Sequence, residues 1–116
     1  MAELIQQYDK IAIFRYLCSM EQVEVFKALS NKARLQILQW LKDPTSNFPA
    51  EGCCENGVCV GQIQLKMGVT QSTASEYLSL LQRTGLLTVT RQGQWTYYKR
   101  NEDAIRELGK LILEDL

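Results

Sequence analysis

The chain contains no histidine, and that one absence removes several chemistries. Without an imidazole there can be no Ser-His-Asp or Cys-His nucleophile and no histidine-based zinc site. No Gly-rich phosphate cradle is present, and the adjacent cysteines lack C-x-x-C spacing, so an enzyme is not expected. No apolar run approaches the length that crosses a bilayer, and the N-terminus lacks the basic-then-apolar layout of a signal peptide. The expectation is a cytoplasmic protein with no membrane partner. Formal net charge is zero, which taken alone argues weakly against nucleic acid. Neither low-complexity sequence nor an internal repeat interrupts the 116 residues. They read as a single domain, 1–116, able to bury a core but small enough to gain from dimerisation.

What is present centres on Thr70-Gln-Ser-Thr-Ala-Ser-Glu-Tyr-Leu-Ser-Leu-Leu. Thr70 is an N-cap whose hydroxyl can accept from a free backbone N–H of the next turn. Ala74, Leu78 and Leu81 then recur at helical spacing and face a core, leaving Gln71, Ser72, Thr73, Ser75 and Glu76 on the opposite face. Upstream, Val60, Ile63 and Met67 share a helical face, and Gly68 is a left-handed C-cap. Two short amphipathic helices joined by Gly68-Val69-Thr70 make a helix-turn-helix, about 58–84. Gly85 closes the second helix. Leu86 to Arg91 and Gln94 to Arg100 are rich in Thr, Val, Trp and Tyr, with Gln92-Gly93 between them as a tight turn. A hairpin over about 86–100, directly after a helix of this kind, reads as a wing.

Charge is unevenly placed. Between Gly61 and Arg100 the cations are Lys66, Arg83, Arg91, Lys99 and Arg100, and Glu76 is the only acid. A local positive surface of this sort suits phosphate contact. Elsewhere, Leu4, Ile5, Tyr8, Ile11, Phe14, Tyr16 and Leu17 predict a helix, about 3–20, greasy on more than one side, which a partner subunit would cover. Cys18 lies in it as a small hydrophobe. Val23, Phe26 and Leu29 continue inward. Ser30 or Asn31 caps a helix from Lys32 to Leu41 with Leu35, Leu38 and Leu41 on one side. Lys32 and Arg34 in its first turn oppose the helix dipole, so they serve another acceptor, a phosphate or a buried group. Asp43 to Gly57 reads as a loop. Asn101 caps a last helix, about 102–116, whose stripe of Ile105, Leu108, Leu111 and Ile112 could pair with the first helix across a dimer axis.

Three stretches in the right order resemble one family. Ala28-Leu29-Ser30-Asn31-Lys32-Ala33-Arg34-Leu35-Gln36-Ile37-Leu38 is similar to the ALSDPTRLRIL signature of the ArsR/SmtB family. Thr70 to Leu87 resembles that family's recognition helix, and Gln92-Gly93-Gln94-Trp95-Thr96-Tyr97-Tyr98 its wing. The likeness spans roughly residues 21–108 and implies a homodimeric repressor that leaves operator DNA when an inducer, often a soft metal ion or metalloid, binds. Val58 to Ile63 lies over the family's metal box, ELCVCDL: Cys59 keeps its first cysteine and Gly61 replaces its second. Glu76-Tyr77 departs from the basic residue or histidine often found there.

The expected fold is therefore mainly α with a small β-hairpin, a winged helix-turn-helix dimer with N- and C-terminal helices at the interface. Gln71, Ser72, Thr73, Ser75 and Glu76, with Arg91, Gln92 and Gln94 from the wing, are the candidate contacts to double-stranded DNA, an inverted-repeat operator. Cys53, Cys54 and Cys59 are candidate thiolate ligands for As(III), Sb(III) or a thiophilic metal acting as inducer, with no obligatory cofactor. The same cysteines could instead sense oxidants or persulfide. A winged helix can also serve purely as a protein-interaction module.

Overall fold

Helix α1 occupies residues 22–29 of the computed structural model, which describes residues 22–116 apart from the side chains of 52–54. The helix expected at about 3–20, Cys18 included, lies outside the described residues. In α1 the core-facing residues are Val25, Ala28 and Leu29, whereas Val23, expected inward, is 53% exposed. Helix α2, Lys32–Lys42, is capped by Asn31, whose Oδ1 accepts from Arg34 N at 3.1 Å. Ser30, the alternative cap, instead donates its hydroxyl to Lys27 O at 2.8 Å. The buried stripe of α2 is Ile37, Leu38 and Leu41, and Leu35 is turned outward. At 3.6 residues per turn, Leu35 sits about 110° from the centre of that stripe, so its three-residue spacing from Leu38 misleads.

The segment from Asp43 to Gly57, expected as a loop, contains four elements. Pro44 opens a one-turn helix, α3 (Pro44–Asn47), at a position where its missing N–H costs nothing. Asp43 accepts from Ser46 and Thr45 hydroxyls at 2.7 and 3.1 Å, which holds its carboxyl below the ordinary value. Phe48 is buried edge-on to Trp40, with ring centroids 6.3 Å apart. A 3-10 turn, Ala50–Gly52, leads into strands β1 (Cys53–Cys54) and β2 (Gly57–Cys59). Such short strands carry too few residues for an alternating pattern to register in sequence.

Helix α4 (Val60–Met67) follows β2 directly and α5 (Gln71–Arg83) follows Gly68-Val69-Thr70. Gly68 caps α4 at φ 70°, and its N–H reaches Gln64 O at 3.0 Å. The end of α5 is closed by two bonds, Gly85 N to Gln82 O at 2.9 Å and Leu86 N to Leu81 O at 3.1 Å, which satisfy carbonyls the helix leaves free. The wing strands β3 (Leu87–Gln92) and β4 (Trp95–Arg100) pair in full antiparallel register, and α6 (Glu102–Glu114) completes the chain behind an Asn101 cap.

The sheet is larger than one hairpin. Its order is β1-β2-β4-β3, with Val58 opposite Tyr98 and Cys59 opposite Tyr97. The wing turn is also displaced by one residue from expectation. Gln92 pairs with Trp95, so the two-residue loop is Gly93-Gln94, with Gly93 at φ 64° in first place. A two-residue hairpin loop that starts with positive φ selects glycine there and leaves the second position free to be Gln. Between the helices and the sheet lies a core of Ala28, Ile37, Leu38, Leu41, Phe48, Val58, Ile63, Leu78, Leu81, Leu86 and Leu87.

Where β2 crosses β4, Gly57 is indispensable. Its φ is 117°, and a Cβ there would run into the Tyr98 carbonyl, 2.7 Å from its carbon. Both the backbone angle and the contact exclude any other residue without moving a strand. Gly57→Ala is expected to destabilise the fold by about 3 kcal/mol or more, because backbone strain and a steric clash add. Urea unfolding followed by far-UV circular dichroism measures it; a loss below about 1 kcal/mol would show that β2 can shift away from β4.

Candidate nucleic-acid interface

The outer face of α5 follows from its inner one. Ala74, Leu78 and Leu81 are wholly buried, and Gln71, Ser72, Ser75 and Glu76 stand exposed on the other side. Thr70 anchors the N-terminus: its Oγ1 accepts from Thr73 N at 3.2 Å and its hydroxyl donates to Thr73 Oγ1 at 2.9 Å. Thr73 is consequently half-buried and engaged in the cap, which leaves the exposed Gln71 and Ser72 ahead of it in the first turn. With no acid among the first residues of α5, the positive end of its dipole is uncompensated by its own side chains.

The wing residues Arg91, Gln92 and Gln94 are all exposed. Gln92 Oε1 accepts from Asn56 Nδ2 at 3.0 Å, tying the wing to the β1–β2 turn. Beside them stands Trp95, 55% exposed and opposite Gln92, a wing residue not among the candidate contacts expected from the sequence. Tyr98, on β4, is packed against the core, and burial pushes its phenol above the ordinary value while Arg91 pulls it back in part.

The cations expected to form one positive surface have divided tasks. Arg100 keeps only 12% of its side chain exposed and pairs side-on with Glu102: Nη2 donates to Oε2 at 3.0 Å. Its Nε lies 2.9 Å from Oε1, close enough for the ion pair but out of hydrogen-bond alignment, and is otherwise unpartnered. Lys99 Nζ donates to Glu55 O at 3.2 Å. Lys66 stands over Trp40 and Phe48, 5.2 and 5.7 Å from the ring centroids. Arg83 and Arg91 remain exposed. Of the two first-turn cations in α2, Lys32 is exposed, and the half-buried Arg34 reaches backbone acceptors: its Nε donates to Ala28 O at 2.7 Å.

Of the three candidate thiolates, only Cys59 has a described side chain; it is in no disulfide, half-buried and at the N-cap of α4. The backbone of the other two lies on the neighbouring strand, Cys53 opposite Val58 and Cys54 opposite Gly57. The hairpin thus brings all three positions into one corner of the sheet. Among the described residues no three of His, Cys, Asp or Glu come together as a metal-holding group. No described helix is long and apolar enough to cross a membrane.

A capped helix presenting short polar side chains, preceded by a helix and tight turn and followed by a twisted hairpin, defines a winged helix-turn-helix regulator. No family model matches the chain. YbzH of Bacillus subtilis (strain 168), an HTH-type transcriptional regulator, is 55% identical over 100 residues, which is 84% of this chain and 100% of YbzH. The homodimeric winged helix-turn-helix DNA-binding domain of Mb0332 from Mycobacterium bovis, a possible ArsR-family transcriptional regulator, is similar with a TM-score of 0.62 and 30% identity. That match covers 85% of this chain and 82% of the domain. Reduced HlyU from Vibrio cholerae N16961 is similar with a TM-score of 0.57 and 26% identity, over 84% of this chain and 90% of HlyU. The chain belongs to the ArsR family of winged helix-turn-helix transcriptional regulators.

Arg91 and Arg100 make a matched test of the electrostatics. Arg91→Ala is expected to lower the slope of log K against log salt by about one per protomer, as loss of one phosphate contact requires. Arg100→Ala is expected to leave the slope unchanged and to lower the melting temperature instead, since its charge is held by Glu102. Fluorescence anisotropy at several salt concentrations gives the slopes, and the reverse pattern would reassign the two residues.

Proposed function

We propose that this regulator is an autoregulatory repressor that binds an inverted-repeat operator as a homodimer. It enters the major groove with the Gln71 end of α5 and lays the wing along the flanking backbone. The observation that carries this reading is the exposure of Gln71, Ser72, Ser75 and Glu76 above a wholly buried Ala74, Leu78 and Leu81. Gln71, Ser75 and Glu76 address base edges, Gln towards adenine and Glu towards a cytosine amine. Ser72, Thr73 and the α5 N-terminus meet phosphate, with Arg91, Gln92 and Gln94 on the backbone or minor groove. The homodimer is supported by α6, whose Ile112 and Leu113 are exposed, as is Leu116 just beyond it, while Ile105 and Leu108 pack on the core, and by the homodimeric Mb0332 domain.

The inducer is thiol-directed. Cys53, Cys54 and Cys59 offer a soft donor set suited to As(III), Sb(III) or a thiophilic metal. An ion held there would join β1 to the residue that opens α4, and so bias the helix pair, provided it binds one dimer state better than the other. A second reading, reversible thiol oxidation at the same positions, is favoured by the similarity to an HlyU structure named as reduced.

Gel-shift against the chain's own upstream DNA is expected to show binding to half-sites about one helical turn apart, or a multiple of that. Gln71→Ala and Glu76→Ala are each expected to weaken binding by about tenfold and to relax preference at one base pair. Arsenite or antimonite should release the complex, and single Cys53, Cys54 and Cys59→Ser replacements should abolish that release. If release survives all three replacements, the thiol reading fails; if only peroxide or persulfide releases the complex, the second reading stands.

A further inference from the structure

Arg34 is placed where three helices meet. It belongs to the first turn of α2, a position at which a cation opposes the helix dipole. The conflict disappears once the neighbouring element is considered, because Arg34 also stands at the C-terminus of α1, the end that attracts positive charge. There Nε donates to Ala28 O at 2.7 Å and Nη2 to Lys27 O at 3.3 Å. Those carbonyls are among the last of α1, which the helix cannot satisfy internally. Ser30 adds two more donors to Lys27 O, its backbone N–H at 3.2 Å and its hydroxyl at 2.8 Å, so the shorter bond to Ala28 O is the one that depends on Arg34. The Cζ atom of the same guanidinium stands over the Tyr77 ring, 5.8 Å from its centroid and inside cation–π range. Tyr77 is half-buried on α5, next to Glu76 on the exposed face.

We infer that Arg34 is a positioning residue for the DNA-contacting helix: it fastens Tyr77 of α5 to the C-terminal carbonyls of α1. A guanidinium carries enough donors to reach two carbonyls while its charge stands over an aromatic ring. Lysine offers a point charge that performs either task less well. Loss of the strut frees the end of α1 and lets α5 rotate about its buried Leu78 and Leu81, so that Gln71 to Glu76 no longer meet the groove at a fixed angle. This inference rests on the operator-binding role proposed above, and its test separates the two.

Arg34→Met, Arg34→Lys, Tyr77→Leu and the Met/Leu double variant are compared at a temperature where circular dichroism shows all of them folded. Two quantities are read: affinity for an operator fragment, and amide hydrogen exchange along α1 and α5. Arg34→Met and Tyr77→Leu are each expected to weaken DNA binding by about tenfold, the scale of a partly desolvated cation–π contact. The double variant is expected to be no weaker than the worse single variant, because both remove one interaction. Arg34→Lys should recover part of the loss, and exchange in the first half of α5 should speed up along with the end of α1. Faster exchange confined to residues 26–31, with unchanged affinity, would reduce Arg34 to a cap for α1 and overturn the inference. So would additive losses in the double variant. Should Arg34→Met fail to fold, Tyr77→Leu, which leaves the α1 cap intact, carries the same comparison. If the wild-type chain binds no duplex, the operator reading fails, and exchange in α5 still decides the strut: acceleration upholds it and no change ends it.

Discussion

Burial of Ala74, Leu78 and Leu81 beneath α5 is the constraint on which the rest of the molecule depends. Each fully buried leucine contributes about 1.5–3 kcal/mol relative to exposure, so rotating α5 to hide its polar face would forfeit most of the helix's attachment. The helix packs against α2, α4 and β3 at once, which keeps its apolar side inward. Helical geometry then dictates that Gln71, Ser72, Ser75 and Glu76 face away. The polar surface offered to a partner is therefore the reverse side of the core, and the short α4 and its Gly68 turn serve to present it.

Electrostatics in this chain is local. A protein of zero net charge cannot attract DNA from a distance by its overall field, and the cations between 61 and 100 do not act as a uniform patch. Arg100 is paired with Glu102, Lys99 reaches a backbone carbonyl of the β1–β2 turn, and Lys66 covers two aromatic rings. Lys66, Arg83, Arg91 and Lys99 are all exposed but lie on different elements, and the uncompensated N-terminus of α5 faces outward among them.

Caps and turns were readable residue by residue. Thr70, Asn31 and Asn101 each accept from the backbone N–H three residues on, and Gly68 and Gly85 end the helices they follow. These are contacts within one turn of chain, so the residue types involved carry the information. Misreadings occurred where the partner was distant. Leu35 looked like part of a stripe until α2 was packed, and Val23 looked inward until α1 had a neighbour. The β1–β2 hairpin is not legible in the sequence because β1 is held only by β2 and β2 in turn by β4, and Gly57, within the stretch expected as a loop, lets the Tyr98 carbonyl approach. The wing turn slipped by one residue because strand register, Gln92 against Trp95, is a property of two chains of backbone together.

Amino-acid order was enough to specify the helix-turn-helix, the wing, the polar face of α5 and the clustering of three cysteines, since each depends on periodicity or on neighbours a few positions away. Which cations remain exposed, which residue of α2 joins α1 to α5, and how β2 extends the wing into a four-stranded sheet were decided only by folding. The reason is that a long side chain such as Arg34 or Arg100 can reach many acceptors within its radius. Sequence states that the charge is there, and the packing of elements far apart along the chain chooses its partner.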